Sequence, residues 1–168
     1  MKNGKKMTEA LSMDIMMTLL RDRDIIVTRT TDKYCNYDLE NVERDMRVEV
    51  KCRTISHQQV LFYNSAGLMM EHTKYQSLSG HKSLFVNIFD TDKGVFIVCW
   101  DVKQINSLNK YTMMCAKSGW DYNNKVPKEF YKLNMMDTNY IFNWDEDTNV
   151  YTKITYDQFV EFGNDFKL

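Results

Sequence analysis

The stretch KYCNYDLENVERDMRVEVKCR, Lys33 to Arg53, decides how this chain is read. Its second half alternates. Val48, Val50 and Cys52 fall on one side of an extended strand, and Arg47, Glu49, Lys51 and Arg53 fall on the other, because successive strand side chains point to opposite faces. Asn41-Val42-Glu43-Arg44-Asp45 suits a hairpin loop between strands over Lys33 to Glu40 and Met46 to Arg53. A pivot near Glu43 and Arg44 sets Asp38 opposite Glu49, with Cβ atoms about 5 Å apart. Tyr37 and Leu39 then match the apolar face and Asp38 the polar one. Two carboxylates at that range repel unless a cation lies between them, and a divalent metal is the natural filler.

The acidic–x–Lys pattern alone is weak, since a chain of this composition produces it by chance about twice. It occurs here as Glu49-Val50-Lys51, Asp101-Val102-Lys103 and Asp165-Phe166-Lys167. Asp90 precedes Asp101 at the same offset as Asp38 precedes Glu49. Pairing separates the two. Around a turn at Thr91-Asp92-Lys93-Gly94, Asp90 faces Val95, and Asp101 lies at the far end of its strand, roughly 20 Å away at strand spacing. Only the first set can share an ion.

Asp38 and Glu49, with the carbonyl of Val50, form a donor set for Mg²⁺ or Mn²⁺ that leaves positions open for water and phosphate. Lys51 can orient or deprotonate an attacking water, or offset charge on a phosphate. Arg47, Arg53 and Lys74 are candidate phosphate contacts. The competing account of the same face is a solvated salt-bridge ladder, since exposed strand faces are commonly charged.

Working outward, Met7 to Asp22 reads as a helix capped by Thr8, apolar around much of its circumference. Asp24 to Thr30 reads as a strand, Gln58 to Tyr63 as another, and Leu68 to Leu78 as a helix. Ser83 to Phe89 and Val95 to Asp101 read as apolar strands. A short helix is predicted over Val102 to Leu108, a strand or helical turn over Lys128 to Leu133, and a closing helix over Thr155 to Phe162 with Thr155 as its cap.

The chain has 168 residues, a net charge of −1 and 43% hydrophobic residues, which suits one domain over 1–168 with a core at about 7–108 and a C-terminal extension at about 109–168. The balance gives no global sign of a polyanion partner, but a local basic patch can be hidden in a neutral total. No apolar run is long enough for a membrane span. The basic start lacks a clean apolar stretch after it, so no secretory leader is expected. Cys35, Cys52, Cys99 and Cys115 form no CxxC pair, and His57, His72 and His81 lack zinc spacing. Reduced thiols and a cytoplasmic location follow. In the last third, Tyr111, Trp120, Tyr122, Lys125 and Lys128 mix aromatic and basic groups as a nucleic-acid surface does.

Asp38, Glu49-Val50-Lys51, the leading helix, the helix after the lysine strand and the two apolar strands together resemble the PD-(D/E)xK, restriction-endonuclease-like nuclease superfamily, over roughly Met7 to Leu108. The resemblance implies an α/β fold, a mixed β-sheet flanked by helices in the order αβββαβ. It implies Mg²⁺-dependent endo- or exodeoxyribonuclease activity on nucleic acid, DNA first. Asp38 and Glu49 would be metal ligands and Lys51 the catalytic lysine. Glu9 on the first helix and Lys74 on the later one match looser features as auxiliary residues. Tyr37 stands where many members have proline. A duplex cutter of this kind usually works as a homodimer, because one site cuts one strand. The Lys- and Asn-rich composition has a phage or mobile-element character, which would place the protein in host cytoplasm. The alternative on the same fold is a catalytically inactive module that binds nucleic acid or a protein.

Overall fold

Alternation along the central strands builds two cores, one on each face of a single sheet. On one face Val48, Val50, Val86, Ile88, Val95 and Ile97 pack under Ile15, Met16, Leu19 and Leu20 of the first helix. On the other, Phe85, Phe89, Phe96, Val98 and Trp100 pack with Val60, Leu78, Tyr131 and Phe159 from later helices and a second sheet. The strands between them are therefore apolar on both faces, as expected of a sheet covered on both sides.

The computed structural model describes residues 7–32, 35–66, 68–105, 109–118, 121–138 and 140–163. In chain order the elements are α1 (Glu9–Arg21), β1 (Thr28–Arg29), β2 (Leu39–Asn41), β3 (Met46–Thr54), α2 (His57–Ala66), β4 (Leu68–Glu71), α3 (His72–Leu78), β5 (Lys82–Thr91), β6 (Gly94–Asp101), β7 (Lys110–Ser118), β8 (Asp121–Leu133), β9 (Tyr140–Asp145), β10 (Val150–Ile154) and α4 (Tyr156–Glu161). The fold is α/β. A seven-stranded mixed sheet runs β1-β2-β3-β5-β6-β9-β10, and a three-stranded sheet runs β4-β8-β7. Every pairing in the large sheet is antiparallel except β3 with β5, which are parallel. The crossover between those two strands contains α2, β4 and α3. The last third of the chain is not an appendage, since β9 pairs with β6 and β8 pairs with β4.

Several predicted elements differ. The strand over Asp24 to Thr30 shrinks to β1, because a turn with Asp24 at φ 59° follows α1. The strand over Lys33 to Glu40 is confined to β2, with 33 and 34 outside the described residues. Gln58 to Tyr63 is helical, not extended. Ser56 and Gln59 form reciprocal caps, Gln59 N–H donating to Ser56 Oγ (3.1 Å) and Ser56 N–H to Gln59 Oε1 (2.9 Å), the capping-box pattern that starts helices. Leu68 to Leu78 splits into β4, where Leu68 and Met70 alternate inward, and α3. The helix over Val102 to Leu108 is a 3-10 turn, Val102–Gln104, with 106–108 outside the described residues. Lys128 to Leu133 lies in strand β8. Thr8 and Thr155 cap α1 and α4 as predicted, the latter with Gln158 in a capping box.

α4 is fastened to α2 through His57, 2% exposed. Its Nε2–H donates to the Phe159 carbonyl at 2.8 Å, while Nδ1 has no hydrogen-bond partner among the described residues. A Cβ on Gly163 would lie 2.8 Å from that Nδ1, so only glycine closes so tightly over it. Burial, opposed by the Phe159 carbonyl and Asp92 and aided by Lys93, holds the imidazole pKa below its ordinary value. A depressed histidine pKa stabilises the fold above the unfolded-state value of about 6.5, and that contribution is lost as pH falls through the folded value. Urea melts at pH 7.5 and 5 are expected to show a fall in stability that is smaller in His57→Gln. An identical pH dependence in both proteins would assign the fall elsewhere.

Candidate metal and phosphate site

The site begins where β2 leaves the ladder. Leu39 pairs with Val48, the register implied by a pivot near Glu43 and Arg44, and one more step sets Asp38 beside Glu49. At that step the regular pairing ends. Asp38 N–H donates to the Val48 carbonyl (2.9 Å) and its own carbonyl accepts from Thr30 N–H (3.0 Å). Its Oδ2 accepts from Val50 N–H at 2.7 Å, in the place of a strand carbonyl. The N–H and C=O of a strand residue project to the same side, so the Val50 carbonyl faces this same opening.

Glu49 is 0% exposed. The polar face of β3 is therefore covered at this point, against the reading of a solvated ladder. Lys51 Nζ lies 2.6 Å and Lys74 Nζ 2.9 Å from Glu49 Oε1. Both contacts are ion pairs to the same oxygen, and among the described residues Oε2 has no hydrogen-bond partner. Burial pushes the Glu49 pKa above the ordinary carboxylate value, and the ammonium of Lys51 only partly opposes it. Lys51 behaves inversely. Burial disfavours its charge, but Glu49, then Asp38 and Glu9, outweigh burial and raise its pKa.

Lys74, on α3, also donates to the Asn36 carbonyl at 3.3 Å, tying the segment before Asp38 to the buried glutamate. Glu9, the exposed first residue of α1, stands near enough for its charge to be felt at Lys51. The structure thus brings Asp38, Glu49, Lys51 and Lys74 together, with Glu9 at the margin.

The two arginines are placed differently. Arg47 lies over the Tyr37 ring (4.7 Å to its centroid) and donates to the Ser77 carbonyl (2.7 Å), so its guanidinium serves as a clamp between β3 and α3. Tyr37 accordingly packs with the second core and not on the Leu39 face where alternation had set it, because the chain has already left the strand. Arg53 is exposed and makes one long contact, Nε to Asn87 Oδ1 at 3.5 Å.

Asn87 is a site residue that sequence reasoning passed over. It is 1% exposed, pairs in register with Lys51, and its Nδ2 has no hydrogen-bond partner among the described residues. The signal was a lone Asn inside the apolar run Leu84 to Phe89, on the same face as Phe85 and Phe89.

The second acidic–x–Lys set falls apart as pairing predicts. Asp90 faces Val95 and Asp101 faces Leu84 at the other end of the hairpin, where its carboxylate caps the Lys103 N–H at 2.9 Å. Asp165 and Lys167 lie outside the described residues. A cleft of about 840 Å³ at the far ends of β3 and β5 includes Asp90, Asp92, Asp145 and Glu146 in its lining. It contains none of Asp38, Glu49, Lys51, Lys74 or Asn87, and its acids make it a poor seat for a polyanion.

Among the described residues no three His, Cys, Asp or Glu side chains converge as a metal cluster. The donor set is two carboxylates and a main-chain carbonyl. That set suits a hard ion that keeps several waters. It offers Glu49 Oε2, buried and unpartnered, as an oxygen that a cation would satisfy. Comparisons with family models, curated proteins and solved structures returned no match. Among the described residues no helix is long and apolar enough to cross a membrane.

Proposed function

We propose that this protein is a metal-dependent nuclease that hydrolyses phosphodiester bonds, with DNA the first substrate to try, built on a restriction-endonuclease-like core. The observation that carries the reading is the meeting of Asp38 with the buried Glu49, under the Lys51 ammonium 2.6 Å from Glu49 Oε1. The order of a helix, an antiparallel three-stranded meander, a helical crossover and a parallel strand supports it, as the αβββαβ pattern requires.

Asp38, Glu49 and the Val50 carbonyl would hold Mg²⁺ or Mn²⁺. Bound there, the ion supplies an acidified water and charge neutralisation at the phosphate. The Val50 amide fixes Asp38 Oδ2, which leaves Oδ1 for the ion. Lys51 orients the water and shields phosphate charge. With an ion held there, Lys74 would share Glu49 with it and stand as a second cation beside the site. The amide of Asn87 is a donor in reserve next to Lys51. Arg53 is the exposed candidate for a backbone phosphate, and Arg47 supports the site through Tyr37 and α3.

The test incubates the protein with single- and double-stranded DNA, branched DNA and RNA, with Mg²⁺, Mn²⁺ or EDTA. Cleavage is expected with either metal and none with EDTA. A second reading has its own support. Two lysines already neutralise Glu49, so the same cluster is self-sufficient as a buried charge network in an inactive module. Binding of nucleic acid without cleavage under every metal condition would establish that alternative.

A further inference from the structure

Away from its base, the β7–β8 hairpin is largely exposed. β4 pairs only with residues 130–133 at its base. Beyond that, among the described residues, the ribbon has no sheet neighbour on the β8 side, and residues on both of its faces are exposed. Met113 is 39%, Met114 57% and Tyr122 72% exposed. Large apolar side chains held in water on a projecting ribbon mark an interaction surface and not a core.

Its charge departs from that of the chain as well. The hairpin carries Lys110, Lys117, Lys125, Lys128 and Lys132 against only Asp121 and Glu129, in a chain of net charge −1. Lys110 lies 2.8 Å from Glu129. Lys125 and Lys132 are exposed. On the outer face the Tyr111 and Phe130 rings lie 6.0 Å apart at 31°, a cross-strand aromatic platform.

We infer that the β7–β8 hairpin is a docking arm for single-stranded nucleic acid, with its lysines taking phosphates and the half-buried Tyr111–Phe130 pair, the exposed Tyr122 and the methionines taking bases. The choice of polymer rests on the phosphodiesterase reading. The chemistry fits independently, because single-strand binders combine a basic track with aromatic faces that accept any base. A second copy of this chain is the poorer occupant. It would bring a lysine-rich ribbon against another of the same sign. The arm is also rooted beside the candidate site. The Tyr131 ring at its base lies 4.3 Å from that of Tyr75, tilted by 36°, next to Lys74 on α3, and Lys128 reaches Glu71 at 3.6 Å.

Fluorescence anisotropy with labelled oligothymidylate, in EDTA so that nothing is cut, tests the arm separately from catalysis. Lys125→Glu with Lys132→Glu is expected to weaken binding at least tenfold and to lower the slope of log K against log salt by about 1.4, at about 0.7 per phosphate contact on single strands. Tyr111→Ala is expected to weaken binding about tenfold with less change in slope, the size of one lost stacking contact. Lys153→Glu, at an exposed lysine of β10 away from both the arm and the candidate site, should bind as the wild type does. Loss of binding in the arm variants supports the arm even if no condition gives cleavage. Unchanged affinity and slope overturn it even if the protein cuts DNA. Light scattering that shows a dimer dispersed by the charge reversals would overturn it in favour of a self-interface.

Discussion

Lys51→Ala is expected to lower metal-dependent cleavage by about a thousandfold, the scale of losing a positioned proton-transfer or charge-stabilising group, while the protein still folds. The fold should survive because Lys51 is half exposed and Lys74 stays 2.9 Å from the same Glu49 oxygen. Glu49→Gln is the companion. It keeps the shape of the buried side chain and removes its charge, so it should abolish the Mg²⁺-dependent activity. Initial rates on the best substrate, with circular dichroism melts of each variant, give the answer. Undiminished cleavage in both variants would place the chemistry elsewhere in the chain.

The largest structural effect is expected at Phe96. It is 0% exposed and meets Phe159 edge-on at 4.8 Å, Phe162 at 5.2 Å and His57 at 5.7 Å. Phe96→Ala removes the ring that joins β6, α2 and α4. It should cost about 3–5 kcal/mol, or roughly 10 °C in Tm for a chain of this size. Urea denaturation measures it directly. A loss under about 1 kcal/mol would mean that α4 does not close over this core.

What could be read in the sequence was mostly local and periodic. The Asp38–Glu49 neighbourhood and the Asp90–Val95 pairing followed from turn position and strand alternation alone, and Thr8 and Thr155 announced their helices. Val60-Leu61-Phe62-Tyr63 misled, because a short apolar run is consistent with either element, although Ser56 and Gln59 held the decisive cap. Leu68 to Leu78 fits both periods, so the change from β4 to α3 left no mark. Strands β9 and β10 draw their stability from pairing with β6 and with each other, which no local pattern displays. At the site, hairpin pairing singled out the acidic pair and Lys51 as candidates, and the family resemblance pointed to Lys74. The complete burial of Glu49 depends on α3 closing over β3, a tertiary event invisible in alternation. The same event claimed Arg47 as a clamp.

The parallel pairing of β3 with β5 has a kinetic consequence. The β2–β3 hairpin can form early from near neighbours and brings Asp38 to Glu49 by itself. Lys74 and Asn87 arrive only after the long crossover has closed, and closing a long loop costs entropy before any contact repays it. A chain stalled before that step would hold Glu49 in water with its ordinary acidity. Maturation of the site and completion of the sheet are thus one event, and the acidity of Glu49 reports on when it has happened.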